Sequence, residues 1–283
     1  MKVFKTVKTI QDYIKLKKCR GSSIGFVPTM GYLHEGHLSL IRRAHKENDI
    51  SVVSIFVNPT QFGPKEDYKK YPRDFKRDEK LSKQAGADLI FYPKVREIYP
   101  EGYRTYVDVK DITGTLCGAS RPGHFTGVST VVAKLFNTVQ PDVAYFGQKD
   151  AQQAVVIKQM VRDINMDVKI KVMPIVREAN GLAMSSRNRY LSAKERIDAP
   201  VLYESLKLAR RLIKAGVQDV RSIRSQMSRI IRSKGSMRIE YISIVDKDNL
   251  KEIKRVKKDA LIALAVKVGK TRLIDNIVIK GGI

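Results

Sequence analysis

Residues 23–62 constrain the fold more than any other stretch. The run SIGFV at 23–27 is short and apolar, a loop containing Pro28 and Gly31 follows, and an amphipathic segment then begins near Glu35 to His37. Leu38, Ile41 and Ala44 recur there at helical spacing. The next apolar run, ISVVSIFV at 50–57, has no polar alternation and is broken at Asn58-Pro59. A strand without a polar face must be covered on both sides, and parallel neighbours need a crossover between them. Strand, helix and buried strand in this order therefore predict a parallel α/β sheet.

The remaining elements extend that sheet. A polar helix is expected over Asp74 to Gln84, a strand at 87–93, and a glycine loop with a helix over 123–141 that ends before Pro141. A strand at 142–146, a helix from about Asp150 to Asn165 and the strand VKIKVMPIV complete a Rossmann-like doubly wound domain over residues 1–178. After the loop REANGLAMSSRNRYL the pattern changes. Ser192 caps an expected long helix through Lys214, Val217 to Arg232 reads as a second, and the strands RIEYISIVD and ALIALAVKV are joined by the charged segment DKDNLKEIKRVKKD. These elements predict a smaller α+β domain over 179–283, with ligands in the cleft between the two domains.

Charge bounds the partners without naming them. The chain carries 54 Lys and Arg against 29 Asp and Glu, a net +25, and the excess is densest after residue 180. Such a surface favours anions, whether nucleic acid, nucleotide or small carboxylate. Arg221, Arg224, Arg229 and Arg232 suit an RNA-binding helix, yet Ile223, Met227, Ile230 and Ile231 supply the packing stripe of an ordinary two-sided one, so no nucleic acid partner is expected. Cys19 and Cys117 lack metal-site neighbours and read as structural thiols of a reducing compartment. The basic start is not followed by a signal-peptide apolar run and no 18-residue apolar stretch occurs, so a cytoplasmic location without membrane contact is expected.

Three of the four histidines, His34, His37 and His45, fall in the first strand-helix unit. His34 and His37 flank Gly36 at a helix entrance, where unpaired N–H groups and the positive dipole end also favour phosphate. Spacing alone equally admits a surface pair or a helix cap. The sequence HEGH lacks the two-residue spacer of the zinc-protease motif HExxH.

Five blocks give that site a context: FVPTMGYLHEGH at 26–37, IFVNPTQF at 55–62, SRPGHFTGVSTVVAKLFN at 120–137, FGQKDAQQ at 146–153 and GLAMSSRNRYL at 181–191. In this order they resemble the pantoate–beta-alanine ligase (pantothenate synthetase) family, adenylate-forming Rossmann-like enzymes with a His-x-Gly-His signature. The resemblance implies ATP-dependent condensation of pantoate with beta-alanine to pantothenate, AMP and pyrophosphate through an enzyme-bound pantoyl adenylate, with Mg2+ entering on ATP. It implies that His34, His37 and Lys149 act on the phosphates from one side, and Ser185, Ser186 and Arg187 from the other. Pro28, Thr29 and Met30 would line the pocket, Gly147 and Asp150 the nucleoside side, and Val176 and Met184 the adenine. Asn58, Gln61 and Gln153 match pantoate-binding positions. Asp78 matches an acidic position near magnesium, with Asp74 and Glu79 as local competitors. Arg121 and His124 fall at the cleft mouth, where His124 suits either a substrate contact or a helix cap. A homodimer is implied by the family alone. A related nucleotidylyltransferase would instead need a second phosphate pocket where this chain has its amide cluster.

Overall fold

The computed structural model describes residues 1–64, 66–257 and 259–280. Its larger sheet contains β1 (Lys2–Phe4), β2 (Ile24–Thr29), β3 (Ile50–Ile55), β4 (Leu89–Phe91), β5 (Val143–Gly147) and β6 (Lys169–Met173) in the order β1-β4-β3-β2-β5-β6. Every pairing in it is parallel. The α/β expectation holds, with one addition. The basic start forms β1 at the sheet edge, followed by helix Val7–Lys18, capped by the Thr6 side chain.

Alternation along the strands divides the core in two. Phe26, Val52, Leu89 and Phe91 face helices Val7–Lys18 and His124–Val139, contributing to a cluster with Ile10, Ile14, Val128 and Phe136. Their neighbours Val27, Val53 and Ile90 face the opposite way and pack with Leu40 and Ile41 of helix Glu35–Glu47. Successive strand side chains point to opposite faces. Apolar residues at consecutive positions therefore cover both faces of the sheet with helices, as the unbroken run at 50–57 requires.

The second sheet is antiparallel: β7 (Met237–Asp246), β8 (Ala260–Val268) and β9 (Thr271–Ile279) in that order. One face, with Ile242, Ile244, Ile262 and Leu264, packs on helices Val201–Lys214 and Val220–Arg232 through Leu206, Ile213, Ile223 and Met227. On the other face Val245, Leu261 and Ala263 meet Ala151, at the start of a helix of the larger sheet. The arginines of helix Val220–Arg232 are exposed while Ile223, Met227 and Ile231 are buried, which is the two-sided pattern expected.

Two expectations need correction. The helix expected from Ser192 through Lys214 is broken into Ala193–Asp198 and Val201–Lys214. Ser192 and Glu195 close a capping box on the first piece, but Pro200 has no N–H to continue the ladder, and the chain restarts with the Glu204 N–H donating to the Pro200 carbonyl. The antiparallel sheet also has a third strand, β9, beyond the two expected; Asp275 and Asn276 interrupt its apolar pattern and both are buried.

Candidate active site

In an open parallel sheet, ligands gather at the carboxyl ends of strands where the order reverses. Here β2 has β3 on one side and β5 on the other, so the crevice opens between Thr29 and Gly147. Pro28, Thr29, Met30, His34, His37, Asn58, Gln61, Gly147, Lys149, Asp150, Gln153, Val176, Met184, Ser185, Ser186 and Arg187 all line one cleft at that position. Asp78 is not among its lining residues.

The turn after β2 explains where Asp78 went. Gly31 has φ 80° and Tyr32 φ 49°, both left-handed, and a Cβ on Gly31 would come within 2.9 Å of an Asp78 carboxylate oxygen. The Asp78 oxygens accept from the Tyr32 and Leu33 amides, each at 2.7 Å. Burial raises the Asp78 carboxyl above its ordinary value, against the pull of these two amides and the Arg77 charge. In this position Asp78 shapes the turn that delivers His34 to the helix entrance. Among the described residues no group of three or more His, Cys, Asp or Glu is arranged to hold a metal.

His34 caps helix Glu35–Glu47, and the two imidazoles lie with centroids 4.1 Å apart. Gly36 permits this packing, since a Cβ there would meet the His34 ring at 2.9 Å. The His37 Nδ1 accepts weakly from the His34 N–H at 3.4 Å, which leaves the proton on Nε2 as a donor. Burial, then the Lys149 charge, lowers the His34 pKa to about 4. Burial, then His34 and Lys149, holds His37 well below its ordinary 6.5. Two neutral rings at a helix N-terminus beside a lysine can accept an anion without first releasing or gaining a proton.

Lys149 follows β5 in the turn Gln148–Asp150, and its ammonium lies 3.8 Å from Asp150. On the facing wall, the Ser185 hydroxyl accepts from the Arg187 N–H at 3.3 Å, opening the turn Ser186–Tyr190. The Arg187 guanidinium is bidentate to Asp67 at 3.1 and 2.9 Å, and Arg121 is bidentate to Glu66 at 2.6 Å for both bonds. Burial raises the Glu66 and Asp67 carboxyls, yet the paired guanidiniums outweigh it and hold both below their ordinary values. Adjacent acids thus neutralise two cleft arginines, a feature that local sequence cannot reveal because its partners lie 55 and 120 positions away.

The three amides expected to hold pantoate divide into two roles. Asn58 is buried, its Nδ2 donating to Gln61 Oε1 at 3.1 Å and the Gly127 carbonyl at 3.0 Å, while its Oδ1 accepts from Tyr99 and Thr60. Both of its donors are used by the protein, and the residue lines the cleft beside Gln61. A Cβ on Gly127 would strike the Thr60 carbonyl at 2.4 Å, so this approach requires glycine. Gln61 keeps only a weak thioether partner for its Nε2, Met30 Sδ at 3.0 Å. His124 resolves to a holding role: Nδ1–H donates to the Gln61 carbonyl at 2.8 Å, while Nε2 accepts from Arg121 at 2.9 Å. Asn58→Ala is accordingly expected to lower stability by about 1–3 kcal/mol, by leaving buried partners unpaired. Denaturant melts check this; an unchanged midpoint would contradict the network.

Burial, followed by the Arg121 charge, also lowers His124 to about 4. The folded chain therefore holds His34 and His124 neutral, whereas the unfolded chain protonates them near 6.5. Their contribution to stability is present above about pH 6.5 and is lost as the pH falls toward 4. The thermal midpoint of the ligand-free protein should fall across that window, and less steeply in His124→Gln. Equal slopes for the two proteins would refute the assignment.

A doubly wound sheet with a His-x-Gly-His helix entrance and a lysine turn facing each other across its switch point defines a nucleotide-binding α/β protein of the adenylate-forming kind. The Pantoate-beta-alanine ligase family model matches residues 2–278, and the chain belongs to that family. It is 58% identical over 280 residues to a pantothenate synthetase of Caldicellulosiruptor bescii, covering 99% of each chain, and 55% identical to one of Moorella thermoacetica with the same coverage. Among solved structures, pantothenate synthetase from Thermus thermophilus superposes with TM-score 0.93 at 45% identity, covering 98% of this chain and 99% of that one. A pantoate-beta-alanine ligase from Francisella tularensis, complexed with beta-gamma ATP and beta-alanine, does so with TM-score 0.80 at 35% identity, covering 98% and 97%.

Proposed function

We propose that this chain joins (R)-pantoate to beta-alanine at the expense of ATP, yielding pantothenate, AMP and pyrophosphate. The observation that carries the reading is the meeting, in one switch-point cleft, of a phosphate-facing His34–His37–Lys149 set with the Gln61 and Gln153 amides.

A pantoate carboxylate oxygen attacks the α-phosphorus of ATP, the bond to the bridging oxygen breaks, and pyrophosphate leaves with that electron pair. The beta-alanine amine then attacks the acyl carbon, the acyl–phosphate C–O bond breaks, AMP departs, and the amine proton passes to solvent. No protein nucleophile is needed, so the residues act by placement and by stabilising charge. Lys149 supplies a fixed cation beside the phosphates, and His37 Nε2–H with His34 donates from the helix entrance. Ser185 and Ser186 donate from the other wall, with the Asp67-paired Arg187 guanidinium beside them. The Gln61 and Gln153 amides match a small polyol carboxylate without repelling it. Asp150 suits ribose hydroxyls, and Val176 and Met184 suit adenine.

Magnesium enters as part of the ATP substrate complex, bound to phosphate oxygens and water, as is usual for this ion. Among the described residues no helix is long and apolar enough to cross a membrane. We place the enzyme in the cytoplasm as a homodimer, which sedimentation equilibrium tests. Turnover with MgATP, D-pantoate and beta-alanine should form pantothenate and AMP in equal amounts. Without beta-alanine, pantoate-dependent ATP–pyrophosphate exchange should persist. ADP as the product, or ATP hydrolysis without pantothenate, would overturn the proposal.

A further inference from the structure

The phosphate turn after β5 is not held by the sheet that produces it alone. Asn276, in the middle of β9 on the other sheet, is 3% exposed and donates its Nδ2 to the carbonyls of both Gln148 and Lys149, each at 2.9 Å. Its Oδ1 accepts from the Gln148 Nε2 at 3.0 Å. One side chain thus fixes two consecutive peptide units, and with them the direction in which Lys149 leaves the turn. Gly147, where the turn begins, has open space where a Cβ would stand, so side-chain packing does not hold the turn at that point.

The neighbour of Asn276 keeps β9 in place against the opposite wall. Asp275 is likewise 3% exposed and takes Arg177 in a bidentate pair at 2.6 and 2.9 Å. Arg177 NH1 also donates to the Gly181 carbonyl at 3.1 Å, at the root of the segment that carries Ser185 to Arg187. Burial pushes the Asp275 carboxyl up from its ordinary value against the pull of Arg177. A buried ion pair is weak support for stability by itself, and a polar pair in the centre of a strand breaks the local pattern. Such violations are expected where a strand serves a site.

We propose that Asn276 is a positioning residue for Lys149: the amide of the antiparallel sheet holds the lysine of the parallel one at the phosphates. This rests on the adenylation reading above. Its consequence is that Asn276 acts only through Lys149, so the two residues form one functional unit although no charge of Asn276 reaches the substrate.

A double-mutant cycle on the full chain tests it, read as pantoate-dependent ATP–pyrophosphate exchange per titrated active site. Asn276→Ala alone is expected to slow exchange about 30-fold. In a Lys149→Met background the same substitution is expected to cost less than about twofold. Equal fold-losses in both backgrounds would overturn the proposal, as would a loss explained entirely by fewer titratable sites. Should Asn276→Ala fold poorly, Asn276→Asp keeps volume and Oδ1 while replacing both donors with an acceptor facing two carbonyls, and the same coupling is expected. Absence of exchange in the parent protein would count against the adenylation reading instead.

Discussion

Lys149→Met is expected to slow pantoate-dependent pyrophosphate exchange by about 10²–10³-fold, the range found when one preorganised charge-stabilising donor is removed. The ammonium acts on His34 more strongly than Arg77 does, and its charge is felt by both rings, helping to hold them below their ordinary value. Among the described residues Asp150 is the acid within ion-pair distance, at 3.8 Å, and that carboxylate is half exposed. An ion pair so placed contributes about 0–1 kcal/mol, so the thermal midpoint should barely move. Activity and stability are thereby separable at this residue. A loss below about fivefold, or a midpoint drop that accounts for the lost activity, would remove Lys149 from the phosphate site. The same variant should raise the basicity of His34 and His37, since a charge that opposes their protonation is gone.

That separation follows from where the chain meets local rules and where it breaks them. The parallel sheet was legible because Phe26-Val27 and Val52-Val53 are apolar at consecutive positions, a pattern that only a strand covered on both faces can use. The motif residues were legible because the carboxyl ends of β2, β3 and β5 each carry a short polar block in sequence order. What escaped was non-local. Asp78 accepts from two amides 45 and 46 residues earlier, a turn-shaping role that its own motif does not show. Asn58 donates to the Gly127 carbonyl 69 positions away, a partner that its own motif does not show. Strand β9 carries Asp275 and Asn276 at its centre, whose partners lie in the other sheet's loops. Sequence periodicity reports which face a residue is on. It does not report which distant carbonyl that face meets.

The basic excess also divides along this line. Of the cleft arginines, Arg121 and Arg187 are already paired with Glu66 and Asp67, so Lys149 is the cation most available to the phosphates. Arg221, Arg224, Arg229 and Arg232 lie exposed on a helix whose other face is buried, and none lines the cleft. A net +25 is therefore mostly a property of the outer surface, while the site works with few charges and many oriented dipoles.

His37 is where those dipoles matter most. Its ring is half-buried, its Nδ1 is taken by the His34 N–H, and its remaining polar group is the Nε2–H in the cleft. Burial, the neighbouring His34 and the Lys149 charge keep it neutral through the physiological range. His37→Ala should reduce exchange by about 10²–10³-fold, because a donor fixed before the reaction is lost at the point where charge builds on the phosphate oxygens. His37→Gln restores an N–H without a titrating group and should recover about tenfold of that loss. Because kcat/KM reports groups of the free enzyme, its profile should show no limb from His37 between pH 6.5 and 8. An inflection in that window that vanishes in His37→Gln would mean that the ring titrates in the free enzyme and that its protonation state matters to the reaction. In that case proton transfer, with neutral donation in a secondary part, would be its contribution to adenylate formation.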